Sequence, residues 1–575
     1  MEYVYFGIGI FCFFAFVIVR DIISDKRKQK LFEKKLREEY GNIHEREYSP
    51  ERFVRIDRYL LKHQEMNCID DITWNDLGMD EIFKSMNETY SAAGEEYLYY
   101  LLHNAGDSVK QVEAFGRMAA YFGSHEKERV ALQICTAGLG YMGKYSLYDY
   151  IDNLDYLGER SNKKDYLVLC LYVILCLFLP FQFAWAIMGI VALMIYNIMS
   201  YFKEKEMIEP YIISFKYILK LINCSEKISK MQNLRSEREF SEIIEMMDQA
   251  VKKLLPVKRG SGIVVSGSNS TGGDPIGMIF DYIKMAFHVD LIQFNKMLRN
   301  VRENTDAVDA LSTGIGRLES AVAVSAWRKY LENHCGYTIP EIWESCHAED
   351  KENKGLNAFE LKEAYHPLLK EPVKNSITTK SGVLLTGSNA SGKSTFLKTV
   401  ALNAILAQTV LTCTAELYRA PMMRIYSSMS LRDDLESGDS YYIVEIKALK
   451  RILTAADEDG RPVLCFVDEV LRGTNTVERI AASTQILRSL HRKNIFCFAA
   501  THDIELTDLL ADCYDNYHFE EEIADGDIYF PYRLLNGKAT TRNAIRLLEL
   551  IGYDRKIVDA AEKMAGNFMT EGVWS

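Results

Sequence analysis

No C-x-x-C pair and no Cys/His quartet at zinc spacing occurs among the 12 cysteines, which are scattered from Cys12 to Cys513. This argues against a disulfide scaffold and a structural zinc site, and the thiols read as reduced, mostly buried and on the cytosolic side. Positive charge is in deficit. Against 80 Asp+Glu there are 68 Lys+Arg, a net charge of −12, so a surface that binds polyanions indiscriminately is not expected, although one local basic patch is compatible with it. Disorder is not expected either, since 48% apolar and 26% charged residues is a folded balance. A length of 575 residues is too great for one core and suggests about four structural units.

Charge is missing altogether from two stretches. Tyr3 to Val19 is an uncharged, Phe- and Ile-rich run close to the ~20 residues that cross a bilayer as a helix. Glu2 precedes it, and Arg20, Lys26, Arg27, Lys28 and Lys30 follow, which suits an uncleaved anchor with its N-terminus outside better than a signal peptide. Tyr166 to Phe202 is too long for one span and has Pro180, Phe181 and Gln182 near its middle, so a helical hairpin of two spans is expected. Lys163 and Lys164 before it and Lys203 and Lys205 after it put both flanks in the cytoplasm. With three uncharged spans there is no ion path, and they read as an anchor.

Between these runs the pattern is helical. A strong run is expected from Glu81 to Leu102, with an N-cap region before Trp74. Phe240, Ile243, Ile244, Met247, Val251, Leu254 and Leu255 recur at three- and four-residue steps, as do Val308, Leu311, Ile315, Leu318 and Val322. Such stripes are helix-packing seams. The loop Gly267-Ser-Asn-Ser-Thr-Gly272-Gly273-Asp274 imitates a phosphate loop, but Gly273 stands where a lysine is needed and Asp274 would repel phosphate, so a surface turn is expected.

From Val383 onward short β-rich runs alternate with amphipathic stretches, the signature of an α/β fold around a mainly parallel sheet. Gly387-Ser388-Asn389-Ala390-Ser391-Gly392-Lys393-Ser394 matches G-x-x-x-x-G-K-S, follows the strand-like Gly382–Thr386 and opens a helix-like stretch at Thr395. Backbone N–H groups of such a loop and the helix N-terminus receive phosphates; Lys393 reaches the outer ones and Ser394 supplies an oxygen to Mg²⁺. Val463–Val467 is a buried-strand pattern that ends in Asp468-Glu469, where Asp468 would hold the metal's hydration shell and Glu469 would orient the attacking water. Ile495–Ala500 ends in Thr501-His502-Asp503, and His502 would contact the γ-phosphate. The expected site thus binds ATP through Gly387 to Thr395, with Ser394 and Asp468 at the metal and Glu469 and His502 at the reacting phosphate.

These blocks resemble the ATPase domain of the MutS family of DNA mismatch-repair proteins, relatives of the ABC ATPases. The likeness runs through Tyr365-His-Pro-Leu-Leu369, the phosphate loop, Asp433-Asp-Leu-Glu-Ser-Gly-Asp-Ser440-Tyr-Tyr-Ile-Val-Glu445, Asp468-Glu-Val-Leu-Arg-Gly-Thr-Asn-Thr476 and Ala500-Thr-His-Asp503, covering about 360–565. Weaker likeness reaches Asn87-Glu-Thr-Tyr-Ser-Ala-Ala-Gly94 to Leu102, which is similar to the start of the family's helical core and lever. The resemblance implies a homodimer in which Ser440 reaches the partner's nucleotide and Asn475 communicates between the two sites. It also implies that the stretch from Thr541 to Ala565 forms helices that help the ATPases dimerise. The family's G-x-F-x-E wedge, which reads mispaired bases, is not found before the core, and the chain stops at Ser575 without an appended nuclease domain, so mismatch reading is not expected.

The expected architecture is an α/β P-loop NTPase domain of the ABC/MutS type at 360–575, preceded by an all-α core and lever with three transmembrane helices. In order these are an anchor at 1–20, a charged helical linker at 21–70, helical core at 71–165, the hairpin at 166–202 and a second helical part at 203–359. Two functions compete: a membrane-anchored ATPase using ATP and Mg²⁺ to open and close helical arms on duplex DNA, and an ATP-driven switch acting on a membrane or protein partner. DNA contact would need a basic groove, for which Lys252, Lys253, Lys258 and Arg259 are the candidates. An ABC-type transporter is disfavoured because three uncharged spans are few for a translocation path and S-G-D-S replaces L-S-G-G-Q.

Overall fold

The computed structural model describes the chain apart from Met1, 66–67, Lys144, 266–281, 345–357, Asn389, 430–440, Asp459, Gly473, 525–526, 540–544, 546–547, 549–551 and 572–575. The expected surface turn at Gly267–Asp274 and the residues Asn389 and Ser440 lie outside the described residues, as does most of the Thr541–Glu549 stretch. Two bodies emerge, one of residues 1–63, 86–100 and 117–329, the other of 64–85, 101–116 and 330–575.

Helices make up the first body. Its helix Arg238–Lys258 buries Phe240, Ile243, Ile244, Met247, Val251 and Leu254, as their spacing requires, while Leu255 falls outside the seam and is exposed. Thr305–His334 buries the whole stripe from Val308 to Val322. The continuous run expected over Glu81–Leu102 is instead two helices, Met79–Met86 and Ala92–His103. Polar side chains claim the backbone between them: Asn87 Oδ1 accepts from the Thr89 N–H and hydroxyl, and Ser91 Oγ accepts from the Gly94 N–H.

Gly94 sits where no side chain fits. A Cβ there would overlap Glu319 Oε2, the carboxylate that accepts from the Tyr90 N–H at 2.6 Å and from the Ser91 hydroxyl. Burial pushes the Glu319 carboxyl up to about 7, and the bonds from Ser91 and Tyr90 oppose the shift. Gly94→Ala should therefore displace this carboxylate and destabilise the first body by about 2–3 kcal/mol, read from the midpoint of a urea melt. An unchanged midpoint would show that the glycine is dispensable.

Three membrane crossings were expected; among the described residues one helix, Phe183–Ser229, is long and apolar enough to cross. The hairpin itself is present, with helix Lys163–Phe178 ending just before the reversal at 179–182. Its first arm is only 16 residues long and begins with Lys163, Lys164 and Asp165, which leaves too little apolar length to meet the same criterion. The N-terminal run lies in the helix Glu2–Glu38, where Tyr5, Phe16 and Val19 are exposed. Of the ten cysteines whose side chains are described, Cys224, Cys413, Cys465, Cys497 and Cys513 are buried, but Cys170 and Cys176 are exposed on the hairpin, so burial holds for half of them.

Two sheets organise the second body. The smaller contains β1 (Glu341–Trp343), β2 (Phe359–Ala364), β3 (Asn375–Thr379) and β5 (Leu417–Pro421) in the order β1-β5-β2-β3. The larger holds β4 (Gly382–Thr386), β6 (Arg424–Ser428), β7 (Val463–Asp468), β8 (Ile495–Ala500), β9 (Tyr514–His518) and β12 (Leu535–Asn536) in the order β12-β9-β4-β8-β7-β6. A two-stranded pair, β10 (Glu522–Ala524) with β11 (Asp527–Tyr529), stands apart from both. The larger sheet is parallel except at β12, and β4, β7 and β8 are apolar almost throughout because helices cover both faces of such a sheet. Residues from far upstream complete this body. Thr73 and Asp76, on the helix Asp71–Leu77 capped by Asp70, accept from the backbone of Ser427 and Met429, and Trp74 stacks on His103.

Candidate active site

Strand order brings the chemistry together. β8 lies between β4 and β7, pairing Leu385 with Ala500 and Ala500 with Asp468, so the residues that follow all three strands emerge at one edge of the sheet. After β4 the chain turns through Gly387, at φ 144°, where a Cβ would lie 2.5 Å from the Phe519 carbonyl oxygen, and reaches the helix Lys393–Thr409 through Gly392 at φ 107°. Both positions require glycine.

Lys393 is only 5% exposed, and its Nζ donates to the Gly387 and Ser388 carbonyls, each at 2.8 Å. Burial lowers its pKa, opposed by the carboxylates of Asp468, Glu469 and Glu521. Ser394 Oγ donates to Asp468 Oδ2, joining the two residues expected at the metal. Burial raises the Asp468 carboxyl, against the Ser394 hydrogen bond, and neighbouring Glu469 raises it further. Glu469 has φ 58°, a left-handed conformation that costs a non-glycine residue energy and concentrates at functional positions. Its carboxylate lies 2.6 Å from His502 Nε2 and 2.9 Å from Arg472 Nε, and its N–H donates to the Ala500 carbonyl. His502 Nδ1 stands 3.1 Å from the Gly387 oxygen, and its turn is braced by Arg479, which clamps Asp503 with two hydrogen bonds.

Gly387, Ser388, Lys393, Ser394, Asp468, Glu469 and His502 are therefore brought together. Ala390, at φ 67°, Ser391 and Thr395 line, with Ser388, Lys393, Ser394 and Glu469, a cavity of 440 Å³, within the usual size of ligand sites. Ser391 Oγ is buried with no hydrogen-bond partner among the described residues, as a loop awaiting an oxyanion would leave it.

Asn475 is placed differently. Its side chain accepts from the Val477 N–H at 2.9 Å and caps the helix Thr476–Leu490. Asn475→Ala is expected to cost about 1 kcal/mol of stability, with Asn475→Asp restoring it, in thermal melts. A loss of ATP turnover in the aspartate variant with stability restored would point to a second task.

Sequence reading assigned no role to three further residues. Glu521, 7% exposed, accepts from Ser388 Oγ at 2.8 Å and so holds the phosphate loop; it lies in the run Glu520-Glu521-Glu522, where nothing local distinguishes it. Arg472 reaches Glu469 from the next turn. His366 lines the cavity with Leu369, Val373 and Tyr532, and burial, assisted by Lys398, pushes its pKa down to about 4. At neutral pH it therefore offers an uncharged ring. Its place in Tyr365-His-Pro-Leu-Leu369 was the available signal.

Comparison with known proteins agrees with this geometry. Residues 383–569 match the family model for MutS domain V. The DNA mismatch repair protein MutS of Thermus thermophilus is 33% identical over 183 residues, covering 32% of this chain and 22% of the relative. The proteins of the same name from Natronomonas pharaonis and Pseudothermotoga lettingae are 34% identical over 192 residues and 31% over 216, covering 33% and 36% of this chain and 22% and 26% of the relatives. The chain thus spans about a quarter or less of the length of these curated relatives.

Proposed function

We propose, on the match of its C-terminal domain to the MutS family, that the chain is a membrane-attached, Mg²⁺-dependent ATPase related to DNA mismatch repair, whose nucleotide state controls binding to duplex DNA. The observation that carries this reading is the convergence of the Lys393 loop, Asp468-Glu469 and His502 on one sheet edge. The residues present fit the nucleotide and its ion. Ser391 offers an unpartnered hydroxyl inside the loop, and the Ser394 and Asp468 oxygens already meet.

In this reading the loop N–H groups and Lys393 hold the phosphates, and Ser394 and Asp468 hold Mg²⁺. The bound ion supplies charge neutralisation at the β- and γ-phosphate oxygens. Glu469 orients and polarises a water in line with the γ-phosphoryl group, and His502, anchored between Glu469 and Gly387, faces that phosphate. Two chains pair through their ATPase domains, with Ser440 completing the partner's site and Asn475 lying in the loop between sites. The N-terminal helix and the hairpin hold the protein at the cell membrane, N-terminus outside and ATPase domain in the cytoplasm.

A second reading keeps the ATPase and replaces DNA by a protein or membrane partner. It is favoured by the exposed apolar hairpin and by Lys258, a candidate DNA contact that is paired instead with Glu226 at 2.6 Å. The deciding measurement is the ATPase rate of detergent-solubilised protein with homoduplex and mismatched duplex across a salt series. Stimulation that fades as salt rises is expected for DNA binding. A rate indifferent to DNA would favour the second reading, and a mismatch-dependent rate would establish mismatch recognition.

A further inference from the structure

We propose that the hairpin at 166–202 is re-entrant: it enters the bilayer from the cytoplasmic face and turns back within the hydrocarbon, so that its tip at 179–182 never reaches the far surface. This rests on the membrane reading above and commits the exposed apolar surface to lipid. Leu167, Val173, Leu177, Trp185, Met188 and Ile195 are all exposed, on both arms. No charged residue lies among them.

Cross-contacts set the register of the arms. Arg160 pairs with Glu204 at 2.6 Å, Lys164 Nζ stands 5.6 Å from the centre of the Tyr196 ring, and a Cβ on Gly189 would lie 3.0 Å from Leu175 Cδ2. Next to the second contact, at Asp165 and Asn197, lies a polar tie that includes His288, a residue outside the hairpin. Its Nδ1 is 2.8 Å from Asp165 Oδ1 on the first arm and its Nε2 is 2.9 Å from the Asn197 carbonyl oxygen on the second. Asn197 in turn donates to the Ala286 carbonyl at 2.7 Å. Lysines at a helix end can snorkel, but a carboxylate held by a buried histidine cannot follow the chain into lipid. Asp165 and Asn197 therefore mark the level where hydrocarbon begins.

From that level each arm has 14 residues to the tip, Asp165 to Leu179 and Phe183 to Asn197. At the helical rise this is ~21 Å, and the turn adds less than one further helical turn, ~5 Å, against ~30 Å of hydrocarbon. The tip also lacks the charge that would draw it into far headgroups. Pro180, Phe181, Gln182 and Phe183 occupy it, with Phe181 80% exposed, so leaving the bilayer would place aromatic surface in water. Helix Phe183–Ser229 is long and apolar enough to cross by itself, but only its part before Asn197 is free of these polar ties.

The test uses the full chain carrying Gln182→Cys, expressed in cells and treated with a membrane-impermeant maleimide, with Glu2→Cys as the external control. Cys170 and Cys176 are replaced by serine so that the hairpin carries one thiol, and each labelled cysteine is located by peptide mass, since ten native cysteines remain elsewhere. The expected result is labelling at position 2 in intact cells, and labelling at position 182 only after detergent solubilisation. Labelling of position 182 in intact cells would overturn the proposal while leaving membrane attachment standing. Labelling of 182 in inside-out vesicles would also overturn it, by placing the tip in cytoplasmic water. Release of the unmodified protein from membranes by alkaline carbonate would overturn the attachment itself. Phe181→Cys repeats the test should the first variant fail to accumulate.

Discussion

Lys393→Ala is expected to weaken ATP binding by about 3 kcal/mol, ~100-fold in Kd, the cost of removing one partner from a buried charge-assisted contact. The size follows from what surrounds the ammonium. Asp468, Glu469 and Glu521 all lie close enough to raise the lysine pKa, and without that cation a nucleotide polyanion would meet three carboxylates unshielded. Lys393→Arg should rescue little, because the Gly387 and Ser388 carbonyls are placed for a single Nζ and not for a planar fork. Titration of each variant with ATP, beside a thermal melt to confirm folding, checks this. A folded Lys393→Ala protein with unchanged affinity would put the nucleotide elsewhere.

Glu469→Gln is expected to separate binding from turnover. The amide keeps the size of the carboxylate but loses the charge that draws in His502 and Arg472 and polarises water. Turnover should fall by ~100- to 10,000-fold, the range for removing a general base, while ATP affinity changes little. ATP-bound protein should accumulate, and with it the dimer if nucleotide drives pairing. The decisive comparison is single-turnover hydrolysis beside ATP titration; hydrolysis at the normal rate would remove Glu469 from its assigned role. The strained φ at this residue sharpens the expectation, since a glutamine inherits the same backbone cost without the same chemistry.

Much of the candidate site was legible because its signals are local. A strand, a glycine-rich turn and a helix occupy consecutive residues from Gly382 to Thr409, and Asp468 and His502 each follow a run apolar enough to be a central strand. The stripes on Arg238–Lys258 and Thr305–His334 were equally readable, since helical periodicity repeats within a few turns. The break at 87–91 was passed over although Asn87-Glu-Thr-Tyr-Ser91 is a polar interruption, because it takes the folded structure to show that Asn87 and Ser91 divert the backbone bonds.

By itself, then, the amino-acid order determined the phosphate loop, the acidic strand end, the two helical seams and the uncharged hairpin, all features whose determinants lie within one or two elements. Tertiary structure alone decided that β8 stands between β4 and β7, that Glu521 and Arg472 reach the loop and Glu469, and that segments 64–85 and 101–116 fold with a body beginning at 330. It also decided how much of the hairpin is free of polar ties, because His288 grips it from nearly a hundred residues downstream. Such contacts depend on pairing between distant segments, and neither strand order nor the partner of a single charged side chain leaves a periodic trace in a linear chain.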